Sequence, residues 1–232
     1  MVPLDARLAL ESLGRLPLLG RGAEAEVRLG SYAGLRAVYK LRPPKPYRHP
    51  RLDLSIRSGR TRREARLTLR ARRGGAPAPA VLAAYPSLGL IVFEYVEGTL
   101  LREALRSSPQ EAPRLLRLAG EVLAALHRAR VSHGDYTTSN LIVTPSGGLV
   151  VIDFGLAEPD PGVEEMAVDV HLFRRSLESA HAHLAGPGYE AFLDGYKHAM
   201  GGGAGPIIRR AEEIRLMGRY VAERRSVWGS TA

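Results

Sequence analysis

An abrupt change of texture at Gly98 constrains this chain more than any other feature. Before it, short runs rich in β-branched and apolar residues alternate with turn residues. After it, apolar residues recur at helical spacing. Ala25–Tyr32 and Leu35–Leu41 read as strands joined by the tight Ala33-Gly34 turn, with Gly20 and Gly22 just ahead of them. Ala80–Tyr85 and Leu88–Val96 read as a hairpin around Pro86-Ser87. Between these pairs, Pro43, Pro44, Pro46 and Pro50 hold the chain extended, and a helix is expected from about Thr61 to Arg73, stopped by Gly74-Gly75.

Beyond Gly98, Pro113–Arg130 sets Leu115, Leu116, Leu118, Ala119, Val122, Leu123 and Leu126 on one broad apolar face. Leu141–Thr144 and Leu149–Ile152 flank Pro145-Ser146-Gly147-Gly148 as a short hairpin, and further helices are expected near 165–185, 187–199 and 206–225. Gly201–Gly205 reads as a flexible joint. The expectation is an α+β protein of two lobes. Residues 1–96 are strand-rich with one helix, residues 97–232 are helical, and the hinge lies near 94–98. No repeat of 20–50 residues is visible, which removes solenoid folds.

A length of 232 residues suffices for two such lobes. The absence of cysteine excludes disulfides, thiolate metal sites and thiol catalysis. No apolar run approaches the ~18 residues of a membrane span, and Asp5 and Glu11 interrupt the N-terminus early, so no signal peptide is expected and a cytoplasmic location is. The net charge is +9. Residues 41–73 hold twelve Lys and Arg against Asp53 and Glu64, a balance of +10 that leaves −1 for the rest. One basic region on a near-neutral body suggests a polyanionic partner. No motif for DNA or for membrane anchoring accompanies it.

The residues that carry chemistry cluster after the long helix. In His133-Gly134-Asp135-Tyr136-Thr137-Thr138-Ser139-Asn140, an Asp and an Asn five residues apart on a loop suit one reaction centre: a carboxylate for a nucleophile's proton and an amide oxygen for a metal. Asp153-Phe154-Gly155 follows directly after the hairpin, which returns the chain and brings Asp153 beside Asn140. Two such oxygen ligands suit Mg²⁺, which takes its remaining ligands from water and substrate phosphates. His133 reads as a residue that packs and orders the loop backbone, and His127 as a helix-face residue.

This arrangement resembles the protein-kinase signature set. The other parts of the set follow in the same order. Gly20-Arg21-Gly22-Ala23-Glu24-Ala25 is a Gly-rich loop whose last glycine is alanine, and Lys40 ends the third strand. Glu64 is the acid of the small-lobe helix, and Glu94 to Val96 lead into the hinge. Only 77 residues follow Gly155, Ala157-Glu158-Pro159 is not the Ala-Pro-Glu motif, and Asp169 arrives 14 residues after Gly155. The activation segment is therefore truncated, and gating by phosphorylation of it is not expected. The acidic stretch from Glu158 to Asp169 reads either as part of that truncated segment or as a solvated acidic surface.

Aminoglycoside- and choline-kinase-like enzymes share the His-Gly-Asp loop but usually add helical insertions, and RIO-type kinases match its neighbours less well. Over nearly the whole chain, the sequence resembles the small atypical kinase of the KEOPS complex. The match runs through Gly22–Ala25, Lys40, Lys45–Pro50, Leu52-Asp53, Thr61 with Glu64–Arg66, His133–Asp135, Asn140, Ile152–Gly155 and Ala167–Asp169. The resemblance implies a minimal bilobal kinase-like fold binding ATP and Mg²⁺, with serine/threonine kinase and ATPase activity. It also implies work beside the KEOPS catalytic subunit on threonylcarbamoyl-adenosine in tRNA. It assigns the α/β-phosphates to Lys40, the orientation of Lys40 to Glu64, the nucleophile to Asp135 and the metal to Asn140 and Asp153. Gly20, Gly22, Ala23, Glu24, Ala25, Glu94 and Val96 complete the nucleotide site. Lys45, Arg48 and Arg51, with Arg219, Arg224 and Arg225 of an interrupted basic tail, would face tRNA or a partner. Two alternatives remain open: a small-molecule phosphotransferase, and a tRNA-binding scaffold whose nucleotide site is only a switch.

Overall fold

A computed structural model describes the backbone of residues 13–228 and the side chains of residues 13–217. The first lobe is built on an antiparallel sheet of order β1-β2-β3-β5-β4, from Leu18–Arg21, Glu26–Tyr32, Leu35–Leu41, Leu90–Glu94 and Val81–Tyr85 respectively. The β2–β3 register runs from Glu26↔Leu41 to Tyr32↔Leu35. Ala33 and Gly34, both at positive φ (50° and 82°), make the two-residue turn whose twist matches the strands. A 3₁₀ turn at Pro86–Leu88 joins β4 to β5.

Helix α1 spans Pro50–Arg73 and crosses behind this sheet. It begins about three turns before the expected Thr61. Pro50, read as part of an extended run, instead opens the helix, where its missing N–H costs nothing and its fixed φ is already helical. The helix thereby includes Asp53 as a second acid. Its buried side includes Asp53, Thr61, Glu64 and Thr68 beside Leu67 and Ala71, so polar side chains take positions that an apolar stripe would normally fill.

The second lobe holds β6 (Thr99–Leu100), α2 (Leu101–Ser107), α3 (Ala112–Arg128), β7 (Val131–Ser132), β8 (Leu141–Val143), β9 (Leu149–Val151), β10 (Glu158–Pro159), α4 (Val163–Ala180), α5 (Ala185–Met200) and α6 (Ala204–Trp228). The expected flexible joint at Gly201–Gly205 is a 3₁₀ turn that runs straight into α6. The core gathers Leu116, Leu123, Leu126, Tyr136, Phe173, Phe192 and Tyr196, with Phe173 and Phe192 stacked at 4.2 Å. At the α3–α5 crossing, a Cβ on Gly120 would lie 2.0 Å from the Phe192 carbonyl oxygen and one on Gly195 would lie 1.9 Å from that of Arg117. Glycine is what lets the two backbones meet. Among the described residues no helix is long and apolar enough to cross a membrane.

Candidate nucleotide and phosphotransfer site

A cleft of about 450 Å³ opens between the lobes. Leu19, Val27 and Val38 from the sheet face Leu100, Ile142 and Ile152 from the other side. Two apolar walls of this kind suit a flat heterocycle. The hinge residues Glu94, Tyr95 and Val96 line its edge, and the Val96 N–H takes no backbone partner among the described residues. The Glu94 side chain pairs with Arg72 at 3.1 Å.

The Gly-rich loop closes on itself through Gly22 N–H to the Ala25 carbonyl at 2.9 Å. A Cβ at Gly20 would meet nothing within 4 Å, and one at Gly22 only the Ala25 oxygen at 3.9 Å. The fold itself does not need these glycines. They leave room for a ligand to approach the backbone closely, the usual reason for glycine in a phosphate-binding loop. Three cations tether this loop from outside. Lys45 Nζ donates to the Ala23 carbonyl at 2.5 Å, Arg60 pairs with Glu24 at 2.6 Å, and Arg48 lies 3.9 Å from Glu24.

Deeper in, Lys40 Nζ lies 2.7 Å from Glu64 Oε1 and 2.7 Å from Asp153 Oδ1. Strand β3, helix α1 and the segment after β9 are thus joined at one ammonium group. Arg42, which the sequence reading passed over, pairs with the other oxygen of Glu64. Arg42 directly follows β3, and its partner Glu64 lies 22 residues further along the chain. Asp153 sits at φ 64°, a left-handed conformation that its own side chain supports by accepting the Gly155 N–H at 3.1 Å. Partial burial pushes its carboxyl up, but the Lys40 charge and the hydrogen bonds from Lys40 and Gly155 outweigh this and hold it below the usual range.

The hairpin does what its sequence implied. Leu141 pairs with Val151, and the Ile152 N–H donates to the Asn140 carbonyl at 2.9 Å, which sets Asp153 next to Asn140. Asn140 Nδ2 donates to the Asp135 carbonyl and to its Oδ2, both at 2.9 Å. This fixes the amide with its oxygen free for a cation and leaves Asp135 Oδ1 free to accept a proton. A hard divalent cation fits this donor set of amide and carboxylate oxygens. Among the described residues there is no group of three or more His, Asp or Glu able to enclose a metal alone, so a cation held by Asn140 and Asp153 would keep positions open to water or a substrate.

The loop is held from behind by Asp169 of α4. Its carboxylate accepts the N–H groups of His133 and Gly134, each at 2.7 Å, and lies 3.2 Å from His127 Nε2. His133 orders the backbone as expected: Nε2 meets the Ile152 carbonyl at 3.0 Å, and Nδ1 accepts the Asp135 N–H at 3.3 Å. His127 is not on a free helix face. It is buried and bridges Asp169 to the Tyr196 hydroxyl at 2.8 Å, which burial and the Asp169 charge keep protonated far above its ordinary range.

The basic segment is largely engaged within the chain. Seven of its twelve cations, Arg42, Arg48, Arg57, Arg60, Arg63, Arg70 and Arg72, lie within 4.0 Å of a carboxylate. Two of these carboxylates, Glu158 and Asp160, belong to the acidic stretch, which thus ties α1 to the second lobe. Of the remaining five, Lys45 donates to the Ala23 carbonyl, and Arg51, Arg62, Arg66 and Arg73 are exposed and pair with no carboxylate among the described residues. Arg219, Arg224 and Arg225 fall on α6, but their side chains lie outside the described residues.

Comparisons with known proteins bear on the family and the fold. The model of the phosphotransferase enzyme family (APH) matches residues 17–132 and 128–204. The chain is 39% identical to the KEOPS complex subunit Bud32 of Pyrococcus abyssi, over 88% of this chain and 96% of that one. It is 38% identical to the EKC/KEOPS complex subunit Tp53rkb of Mus musculus, over 89% and 88%. A chain of Methanothermobacter thermautotrophicus named as a bifunctional tRNA threonylcarbamoyladenosine biosynthesis protein is 39% identical, but only 36% of its length is covered. Among solved structures, the Rio2 kinase of Chaetomium thermophilum, in complex with ADP and Mg²⁺ as a phosphoaspartate, superposes with a TM-score of 0.54 at 19% identity, covering 90% of this chain and 69% of that one. The fold is therefore that of an atypical kinase, with an antiparallel-sheet lobe and a helical lobe. Identity near two residues in five, sustained over almost the full length of an archaeal relative, places this chain in the Bud32 family of KEOPS complex subunits.

Proposed function

We propose that this protein is an ATP- and Mg²⁺-dependent phosphotransferase, a serine/threonine kinase with ATPase activity, serving as a KEOPS subunit in threonylcarbamoyl-adenosine modification of tRNA. The observation that carries the reading is the junction at Lys40, where one ammonium group meets Glu64 and Asp153 at the floor of an apolar-walled cleft, with the Asp135–Asn140 loop beside it.

In this reading the adenine ring lies between the valine and isoleucine walls and meets the hinge backbone at Glu94 and Val96. The open backbone of Gly20 to Ala25 covers the phosphates. Lys40 contacts the α- and β-phosphates and Glu64 orients it. Asn140 and Asp153 would hold Mg²⁺, which when bound would neutralise charge on the phosphates. Asp135 orients a hydroxyl or water and accepts its proton as the new oxygen–phosphorus bond forms and the bond to the β-phosphate oxygen breaks, leaving ADP. The chain supplies position and charge, which is most of what phosphoryl transfer asks of a protein. KEOPS partners and tRNA are assigned to this chain from the names of its relatives, and the exposed arginines of α1 support the RNA part.

Asp135→Ala tests the mechanism. ATP turnover, measured with the partner subunit present, should fall by roughly 10³-fold, while ATP affinity and thermal stability stay near the wild-type values. Unchanged turnover would overturn the assignment. Phosphate transfer to small hydroxylated metabolites but not to protein serine would favour the small-molecule alternative.

A further inference from the structure

Arg42 is a charged residue without an assignment. It follows β3, is 4% exposed, and does not line the cleft. Its Nη2 donates to Glu64 Oε2, and its Nε and Nη1 are buried without a partner among the described residues. A Cβ placed on Gly155 would lie 3.7 Å from Arg42 Nη2 and 3.8 Å from Lys40 Nζ, so the two cations approach the same glycine. Arg42, Glu64, Lys40 and Asp153 form an alternating chain of two cations and two carboxylates. An arginine with unpartnered buried N–H groups is a costly way to fill space, and an apolar side chain would avoid the cost.

What Arg42 adds is a second counter-ion for Glu64. Glu64 is 1% exposed, and a carboxylate so buried needs a cation at all times. If Lys40 were its sole partner, any phosphate that drew Lys40 away would leave Glu64 as an unpaired buried anion close to the added negative charge. With Arg42 on the far oxygen, Lys40 can exchange a carboxylate for a phosphate while helix α1 stays docked.

We propose that Arg42 is a positioning residue that neutralises Glu64 from behind and thereby frees Lys40 to bind the nucleotide's phosphates. The proposal rests on nucleotide binding in this cleft. Titration of the wild-type chain with ATP and Mg²⁺ tests that premise separately, since absence of binding there would sink the functional reading itself.

The test compares ATP·Mg²⁺ with adenosine, which fills the apolar slot but offers no phosphate. Arg42→Gln should leave Glu64 to Lys40 alone, weakening ATP about tenfold or more while adenosine changes less than about twofold. Arg42→Lys, which keeps a charge, should return ATP affinity to within about threefold of wild type. In a Glu64→Gln background, confirmed as folded by its thermal unfolding, there is no buried anion to neutralise, and Arg42→Gln should add less than about twofold. Equal weakening of ATP and adenosine would assign Arg42 to the fold alone. Unchanged ATP affinity, failure of lysine to rescue, or a persistent effect in the Glu64→Gln background would overturn the proposal.

Discussion

Asp169 Oδ1 accepts the backbone N–H of Gly134 at 2.7 Å, tying helix α4 to the loop that carries Asp135 one residue later. Gly134 is held at φ 76°, and a Cβ there would lie 2.4 Å from the Leu156 carbonyl oxygen, so the loop has no room to relax. Asp169→Ala would strand two N–H groups and His127 in the interior. A loss of roughly 3–5 kcal/mol is expected, readable as a lower chemical-denaturation midpoint at constant slope. Turnover should fall further than ATP affinity, because the loop and not the apolar slot loses its support.

The α3–α5 crossing gives a sharper contrast. In a helix interior, Gly→Ala is favourable by about 1 kcal/mol on propensity alone. At Gly195 that gain is outweighed, since the new Cβ would lie 1.9 Å from backbone, which no rotamer change relieves. Gly195→Ala should cost about 3 kcal/mol net. Gly59→Ala, where nothing lies within 4 Å, should stabilise by about 0.5–1 kcal/mol. Thermal unfolding of both variants side by side checks the sign at each site.

The contrast between these glycines also shows what was legible in the sequence. Lys40, Asp135, Asn140 and Asp153 stand at turn and strand-end positions that the pattern located. The hairpin from Leu141 to Val151 had one sensible way to fold, and it joins Asn140 to Asp153. The start of α1 was hidden because Pro50 reads as the end of an extended run and because the buried residues of the first turns, Asp53 and Ser58, leave no apolar period to count. Arg42 was hidden for a related reason. Within a run of twelve cations nothing local marks the one that is buried, because its partner lies 22 residues away on another element. The charge of the segment was legible and its disposition was not, since pairing with Glu94, Glu158 and Asp160 is a matter of tertiary structure.

Asp53 gives a pH dependence. Burial raises its carboxyl, but the hydrogen bond from Arg57, the Lys45 N–H and the charges of Arg57 and Arg48 hold it below the ordinary value of 3.8. A carboxyl lowered in the folded state contributes stability above its unfolded pKa and loses it as pH falls through the lower folded value. The wild-type chain should therefore lose this contribution below about pH 4, while Asp53→Asn should be less stable at pH 7 and flatter across that acid range. Denaturation midpoints at pH 7, 4 and 3 measure the difference. Equal slopes for the two chains would show that the Asp53 cluster contributes nothing to acid sensitivity.

The four arginines of α1 that pair with no carboxylate among the described residues fall on one stripe. Arg51 and Arg62 are eleven residues apart, as are Arg62 and Arg73, close to three full turns in each case, and Arg66 lies one turn from Arg62. The stripe runs opposite the buried face and spans about 33 Å at 1.5 Å per residue. A surface that merely keeps the chain in solution has no reason to segregate its unpaired cations this way, whereas a phosphate backbone laid along the helix would meet all four. If RNA binds here, replacing the four by Gln should weaken tRNA binding and flatten the dependence of log K on log salt by about three, at roughly 0.7–0.9 per phosphate contact. Replacing Arg106, Arg175, Lys197 and Arg209 removes the same charge from exposed positions on the helical lobe and should change the slope by less than about one. Equal slopes for the two variants would mean that only net charge matters, and an unchanged affinity in the first would leave the stripe to a protein partner.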